Sequence, residues 1–346
     1  MTFKVVNTIQ LPGVDFGGHL LQGMDAVFKE KPGRTEEEIV AAAADADAVI
    51  CSGPVQPWTS RVIEALNQCR IIASLGVGYD RIDLDKATEK GIVVTNIPDY
   101  CIDEVSTHTV ALVMALGRGL IRADDMVRKQ HINFVPPNRK ALDAGIRPVF
   151  RMSEQTVGVL GFGKIGTATA LKARGLGMRV IACDPYVYAP VIHSHGVEAV
   201  DFGTLLKQSD YICINAALTS ETMGMFNKTV YEKMKPTAFL INTARGEIVD
   251  EQALVEALKA GWIAGAGLDV TANDPIPEGD PLLDLPNVIL TGHSAWYSET
   301  ADSEDHFWHR AMDQVVKTLK GIWPDYAVNE EVQKQWVEKW CKFGDV

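Results

Sequence analysis

Apolar residues fall into two series of short runs, separated by longer stretches with helical spacing. In the first series the runs are Lys4–Ile9, Ala48–Cys51, Ile71–Leu75 and Ile92–Thr95. They are nearly continuous rather than alternating, as in strands covered on both faces of a parallel sheet. Helices are predicted to start between them at Thr35, where Thr35 and Glu38 have capping-box spacing, and at Thr59. A long helical pattern then predicts one helix over about 102–129. The polar segment 133–154 follows, with Pro136, Pro137 and Pro148. It is too long for a plain connector and reads as a packing arm.

The second series predicts strands at 156–160, 178–183, 211–214, 238–242, 264–268 and 288–290. Helices lie between them, as at 250–259, with Asp250 as N-cap. A last long helix is predicted over 298–320. Glu299, Asp302 and Glu304 crowd its start and Lys317 and Lys320 its end, the arrangement a helix dipole favours. Beyond Trp323 the chain is polar, with a short helical pattern at 329–340. Strands alternating with helices predict an α/β protein with two doubly wound parallel-sheet domains. If the last helix returns to the first domain, that domain is discontinuous. The expected division is 1–104 with 299–330, then 105–298, then a tail at 331–346.

Composition narrows the function classes. The chain has 346 residues, 47% hydrophobic and 23% charged, enough for about two cored domains with little disorder. A net charge of −12 disfavours nucleic acid as a partner while leaving room for a local basic pocket. No apolar run approaches the roughly 18 residues of a membrane span. The first residues read as a strand rather than a signal peptide, and the six scattered cysteines lack C-x-x-C spacing. Reduced thiols and a cytoplasmic location are expected. No metal site is expected: His306 and His309, one helical turn apart, read as a solvated or packed pair.

Candidate chemistry begins at 156–166. A buried strand runs into Gly161-Phe162-Gly163-Lys164-Ile165-Gly166 and then a helix. Glycines at this spacing allow a tight turn, close approach of a pyrophosphate, and close helix–strand packing. The second strand of the series ends at Asp184, 18 positions past Gly166, where a carboxylate can bind the adenosine ribose. A dinucleotide site follows. Pro185-Tyr186-Val187-Tyr188 brings no basic residue for a 2′-phosphate, so NAD is expected over NADP. Because the first series carries no such fingerprint, a cleft between two domains is expected. Three later strand ends carry polar groups: Asn242-Thr243-Ala244-Arg245-Gly246, Leu268-Asp269-Val270 with Asp274-Pro275, and Thr291-Gly292-His293-Ser294-Ala295-Trp296.

With Leu75-Gly76-Val77-Gly78-Tyr79-Asp80 and Asn96-Ile97-Pro98, these segments make the chain resemble the D-isomer-specific 2-hydroxyacid dehydrogenases from about Ile71 to Asn329. Trp296-Tyr297-Ser298-Glu299 is similar to the branch containing the C-terminal-binding proteins. The resemblance implies a Rossmann-type NAD domain, a discontinuous flavodoxin-like substrate domain, a homodimer, and interconversion of a small 2-oxo acid and a D-2-hydroxy acid. It implies Arg245 on the substrate carboxylate, His293 as general acid/base, and an acid partner for that histidine. Asp274 stands where the family usually has glutamate, one methylene shorter. The resemblance also implies substrate contacts from Val77, Gly78, Tyr100 and Trp296. Cofactor contacts would come from Thr109, Lys164, Ile165, Ala216, Thr243, Ala244 and Asp269. Asn215 and Ala217 depart from the histidine and proline common there. The competing reading is a dinucleotide-sensing interaction protein resembling the C-terminal-binding corepressors. A formate-oxidising relative is disfavoured by the acidic Asp274.

Overall fold

The computed structural model describes residues 2–132, 140–141, 145–146 and 148–341. The chain forms two compact units, 1–100 with 298–346, and 101–297. In the first, strands β1 (Phe3–Asn7), β2 (Ala26–Glu30), β3 (Ala48–Cys51), β4 (Ile71–Ser74) and β5 (Val93–Thr95) form one parallel sheet, ordered β2-β1-β3-β4-β5. This is the flavodoxin-like order. Alternate side chains feed opposite faces: Val5, Ile50, Ile71 and Val93 enter one core cluster, and Val6, Val49, Ile72 and Val94 the other. Burial on both faces explains the continuous apolar runs.

Four of these strands fall where apolar runs predict them. β2 does not. It is an edge strand of five residues, Ala-Val-Phe-Lys-Glu, and it is largely exposed, so its composition resembles loop. The capping box at Thr35 forms: Glu38 N–H donates to Thr35 Oγ1 at 3.3 Å and Thr35 N–H to Glu38 Oε2 at 3.1 Å. The predicted helix over 298–320 starts later, as a π-helical turn Glu304–Trp308 continued by Arg310–Leu319. Ser303 caps it by accepting from His306 N–H at 3.3 Å. Ala311, Met312, Val315 and Leu319 from that helix line the first-unit core. Residues 331–340, set apart as a tail on polarity, bury Val332 and Trp336 in the same core, and Trp336 Nε1 donates to Arg70 O at 3.0 Å.

The second unit holds β6 (Thr156–Leu160), β7 (Arg179–Cys183), β8 (Glu198–Ala199), β9 (Tyr211–Ile214), β10 (Phe239–Asn242), β11 (Gly265–Leu268) and β12 (Val288–Leu290). All are parallel, ordered β12-β11-β10-β9-β6-β7-β8. Counted from β6, this is the Rossmann order with a seventh strand, and its switch point lies between β6 and β9. The two-residue β8 is too short to leave a sequence pattern. The helix predicted over 102–129 is two, Ile102–Gly117 and Leu120–Gln130, broken at Gly119 with φ +61°. Of the arm predicted over 133–154, residues 133–139, 142–144 and 147 lie outside the described residues. Among the described residues no helix is long and apolar enough to cross a membrane.

Candidate active site

Because the second-unit sheet is parallel, its strands deliver their following loops to one end. The glycine turn follows β6, Asp184 follows β7, Asn215 and Ala216 follow β9, Thr243–Arg245 follow β10, Asp269 follows β11, and Thr291–Trp296 follow β12. Ligands bind at this end of such sheets.

The glycine turn has three distinct steric environments. A Cβ on Gly161 would lie 2.6 Å from Ala216 N, and one on Gly166 would lie 2.0 Å from Gly161 O. One on Gly163 would meet nothing within 4 Å. The turn is packed tightly at both ends and open in the middle, where a phosphate needs to approach. No side chain caps the helix Lys164–Gly175 at Gly163. Asp184 bends back to the turn: its Oδ2 accepts from Phe162 N–H at 2.7 Å and its Oδ1 from Tyr186 N–H at 2.9 Å. Beside them, both side-chain amide atoms of Asn215 are buried without a hydrogen-bond partner among the described residues. A buried unpaired amide costs about 1–3 kcal/mol unless a ligand supplies the partner. The open cradle, the carboxylate at the end of β7 and the orphan amide fit a dinucleotide.

The β10 turn is held by Asn242, a residue that the sequence reading placed in the motif without giving it a role. Its Oδ1 accepts from Ala244 N–H at 3.0 Å and its Nδ2 donates to Arg245 O at 2.8 Å. Arg245 Nη1 donates to Ala244 O at 2.8 Å. Thr243 meets the fully buried Thr109, Oγ1 to Oγ1, at 2.7 Å, and Thr109 also donates to Val105 O at 2.7 Å. Gly246 has no room for a side chain: a Cβ there would stand 2.0 Å from the Thr271 carbonyl. The arginine turn therefore lies directly against the 271–274 loop.

His293 adopts a left-handed backbone, φ +57°, which is unfavourable for a residue with a Cβ. Its N–H donates to Asp269 O at 2.6 Å. The Asp269 carboxylate, only 3% exposed, organises the rest of the turn. Oδ1 accepts from Thr291 Oγ1 at 2.6 Å and Ser294 N–H at 2.9 Å, and Oδ2 from Ala295 N–H at 3.1 Å. His108, also unflagged in the sequence, stands with Nε2 3.0 Å from Thr291 Oγ1. Asp274 Oδ2 lies 2.5 Å from His293 Nδ1, so the shorter acid does reach. That bond engages Nδ1, one of the two ring nitrogens. Trp296 packs edge-on to Tyr297 with ring centroids 5.7 Å apart.

Three expected substrate residues lie in the first unit. Asn96 Nδ2 donates to Val77 O at 2.7 Å, Gly78 O lies 3.4 Å from Ser74 Oγ, and Tyr100 stacks on Phe307 at 4.3 Å. Elsewhere, burial pushes the Cys213 thiol up to about 12, so that residue is no nucleophile at neutral pH.

The family model for the D-isomer specific 2-hydroxyacid dehydrogenase NAD binding domain matches residues 110–295. The chain is 37% identical over 310 residues to a glyoxylate reductase of Korarchaeum cryptofilum, covering 89% of this chain and 90% of that one. The structure resembles a glyoxylate reductase from Paecilomyes thermophila, with TM-score 0.83 and 26% identity over 95% of this chain and 99% of that one. It also resembles D-lactate dehydrogenase from Aquifex aeolicus complexed with NAD and lactic acid, with TM-score 0.79 and 27% identity over 96% and 98% of the two chains.

Proposed function

The chain belongs to the D-isomer-specific 2-hydroxyacid dehydrogenase family and is an NAD-dependent enzyme of it, and on that premise we propose that it reduces a small 2-oxo acid to the 2-hydroxy acid, glyoxylate being the first candidate. The observation that carries this reading is the His293–Asp274 pair, 2.5 Å apart on the same sheet end as the glycine turn. Arg245 binds the substrate carboxylate, since a guanidinium fork matches it in shape and charge. Asp274 holds the imidazole through Nδ1, and Nε2 gives a proton to the carbonyl oxygen during reduction and takes it back during oxidation. NADH supplies the hydride. Lys164 and Ile165 with the open glycine turn receive the pyrophosphate, Asp184 the ribose, and Ala216 the adenine side. Thr243 and Ala244 add contacts supported from below by Thr109. Asp269 Oδ2 takes one protein donor and keeps a lone pair for the nicotinamide amide. Trp296 is proposed as a substrate-binding residue of this sheet end, and Val77, Gly78 and Tyr100 as substrate-binding residues of the first unit.

A homodimer built around the second unit accompanies this reading. The helix Leu120–Gln130 buries none of its residues, and Leu120, Ile121 and Val127 are about half exposed. The free cysteines suit a cytoplasmic enzyme. No observation favours the corepressor-like alternative.

The test is NADH oxidation with a panel of 2-oxo acids, glyoxylate and pyruvate included. His293→Ala should lower turnover about 100-fold or more, the usual scale for a lost general acid, with NADH affinity nearly unchanged. Near-normal turnover in that variant removes His293 from the mechanism.

A further inference from the structure

The first unit carries a cluster of chemistry-bearing side chains of its own. Asp15 and His19 come from the segment between β1 and β2, and His309 from the junction of the π-helical turn with the last long helix. The three offer ligand atoms all within 4.8 Å of one another. Asp15 Oδ2 lies 3.4 Å from His19 Nδ1 and 3.7 Å from His309 Nε2. Both separations exceed the ordinary 2.7–3.2 Å range of an N–H···O bond. They are close to the edge of a tetrahedron whose corners sit about 2.0–2.1 Å from a central ion, roughly 3.4 Å.

Four further observations point to a ligand. The His309 side chain is nine-tenths buried, and its Nε2 has no hydrogen-bond partner among the described residues. A buried ring nitrogen facing a carboxylate oxygen beyond bonding distance is unsatisfied as it stands. Asp15 is aimed: its Oδ1 accepts from Gly17 N–H at 2.8 Å, which fixes the carboxylate and turns Oδ2 toward both imidazoles. Gly17 itself is needed for the approach. Its φ is +76°, and a Cβ there would stand 3.2 Å from the His309 ring and 3.3 Å from Met312 Cβ. The ring planes of His19 and His309 cross at 71° with centroids 5.1 Å apart, so the rings do not stack face to face.

From this geometry we infer that Asp15, His19 and His309 form a binding site for a divalent transition-metal ion, Zn2+ foremost. Two imidazoles and one carboxylate are a borderline ligand set that suits zinc. The Asp15 and His19 side chains are about half exposed, which gives the ion an entry path and lets water complete its coordination. The ion would tie the Asp15–His19 loop to the last long helix, two elements far apart in sequence. Its place is structural, within the first unit, and it takes no part in hydride or proton transfer.

The experiment is calorimetric titration of the metal-stripped full-length protein with ZnCl2, alongside thermal unfolding with and without a chelator. One equivalent should bind with a Kd of about 1 µM or tighter, and should raise the unfolding midpoint by the amount that mass action gives. Co2+ in its place should give the visible absorption of a low-coordinate N/O site. His19→Ala changes a half-exposed side chain and should fold normally, yet weaken zinc at least tenfold, as should Asp15→Asn. His306→Gln, three positions from His309 and exposed, should bind as the parent does. No saturable one-equivalent binding overturns the inference, and so does binding that His19→Ala leaves unchanged. Because these readouts do not involve turnover, they stand or fall separately from the dehydrogenase reading.

Discussion

Asp184 is the residue on which we propose that cofactor choice turns. It sits at the end of β7 and is held by the N–H groups of Phe162 and Tyr186. A ribose hydroxyl can donate to this carboxylate, whereas a 2′-phosphate brings no donor and adds like charge. NADH should therefore exceed NADPH by at least about tenfold in kcat/KM, or roughly 1.4 kcal/mol. Parallel kinetics on one 2-oxo acid check this, and equal efficiencies would defeat it. The position of Asp184 was legible because strand periodicity and the glycine spacing place it. The reach of Asp274 was not, since a missing methylene can be offset by backbone that sequence does not reveal. The left-handed turn at His293 and the 271–274 loop bring the two side chains together. What Asp269 bonds was not legible. Its donors come mostly from backbone N–H groups of 294–295, which any sequence possesses.

At the scale of elements, the strand–turn–helix at 156–175 separates packing from binding. Gly166→Ala drives a methyl group against Gly161 O and should cost about 1–3 kcal/mol of stability, read as a lower denaturant midpoint at unchanged slope. Gly163→Ala meets no protein atom and should leave stability within about 0.5 kcal/mol, while weakening NADH about tenfold or more. If Gly163→Ala binds NADH normally, the pyrophosphate does not lie over that residue. The turn after β12 makes a comparable case. Asp269→Asn replaces one acceptor oxygen with a donor among three donors in a buried site. A loss of about 1.5–3 kcal/mol is expected by urea unfolding, together with reduced turnover from a displaced His293. A variant as stable as the parent would show that the turn holds itself. The strong strands were legible because burial on both faces demands unbroken apolar runs. The edge strand β2 and the helix break at Gly119 were not: the first is too exposed to be apolar, and the second needs only one permissive residue.

For the whole molecule, two parallel sheets were legible as two series of apolar runs, with the glycine fingerprint opening the second. The burial of Trp336 was not, because one tryptophan in a polar stretch carries no periodicity. Light scattering should show a dimer at micromolar concentration, since the half-exposed Leu120, Ile121 and Val127 want cover. A fully active monomer would refute it.

The interrupted first unit has a consequence for biosynthesis. Its sheet is complete once residue 95 has emerged, but Met312, Val315 and Trp336, which cover one face, follow some two hundred residues later. The contiguous second unit can finish folding on the ribosome while that face is still bare. The amino-terminal unit is thus the last to mature, and in the interval its uncovered sheet is where chaperones would engage the nascent chain.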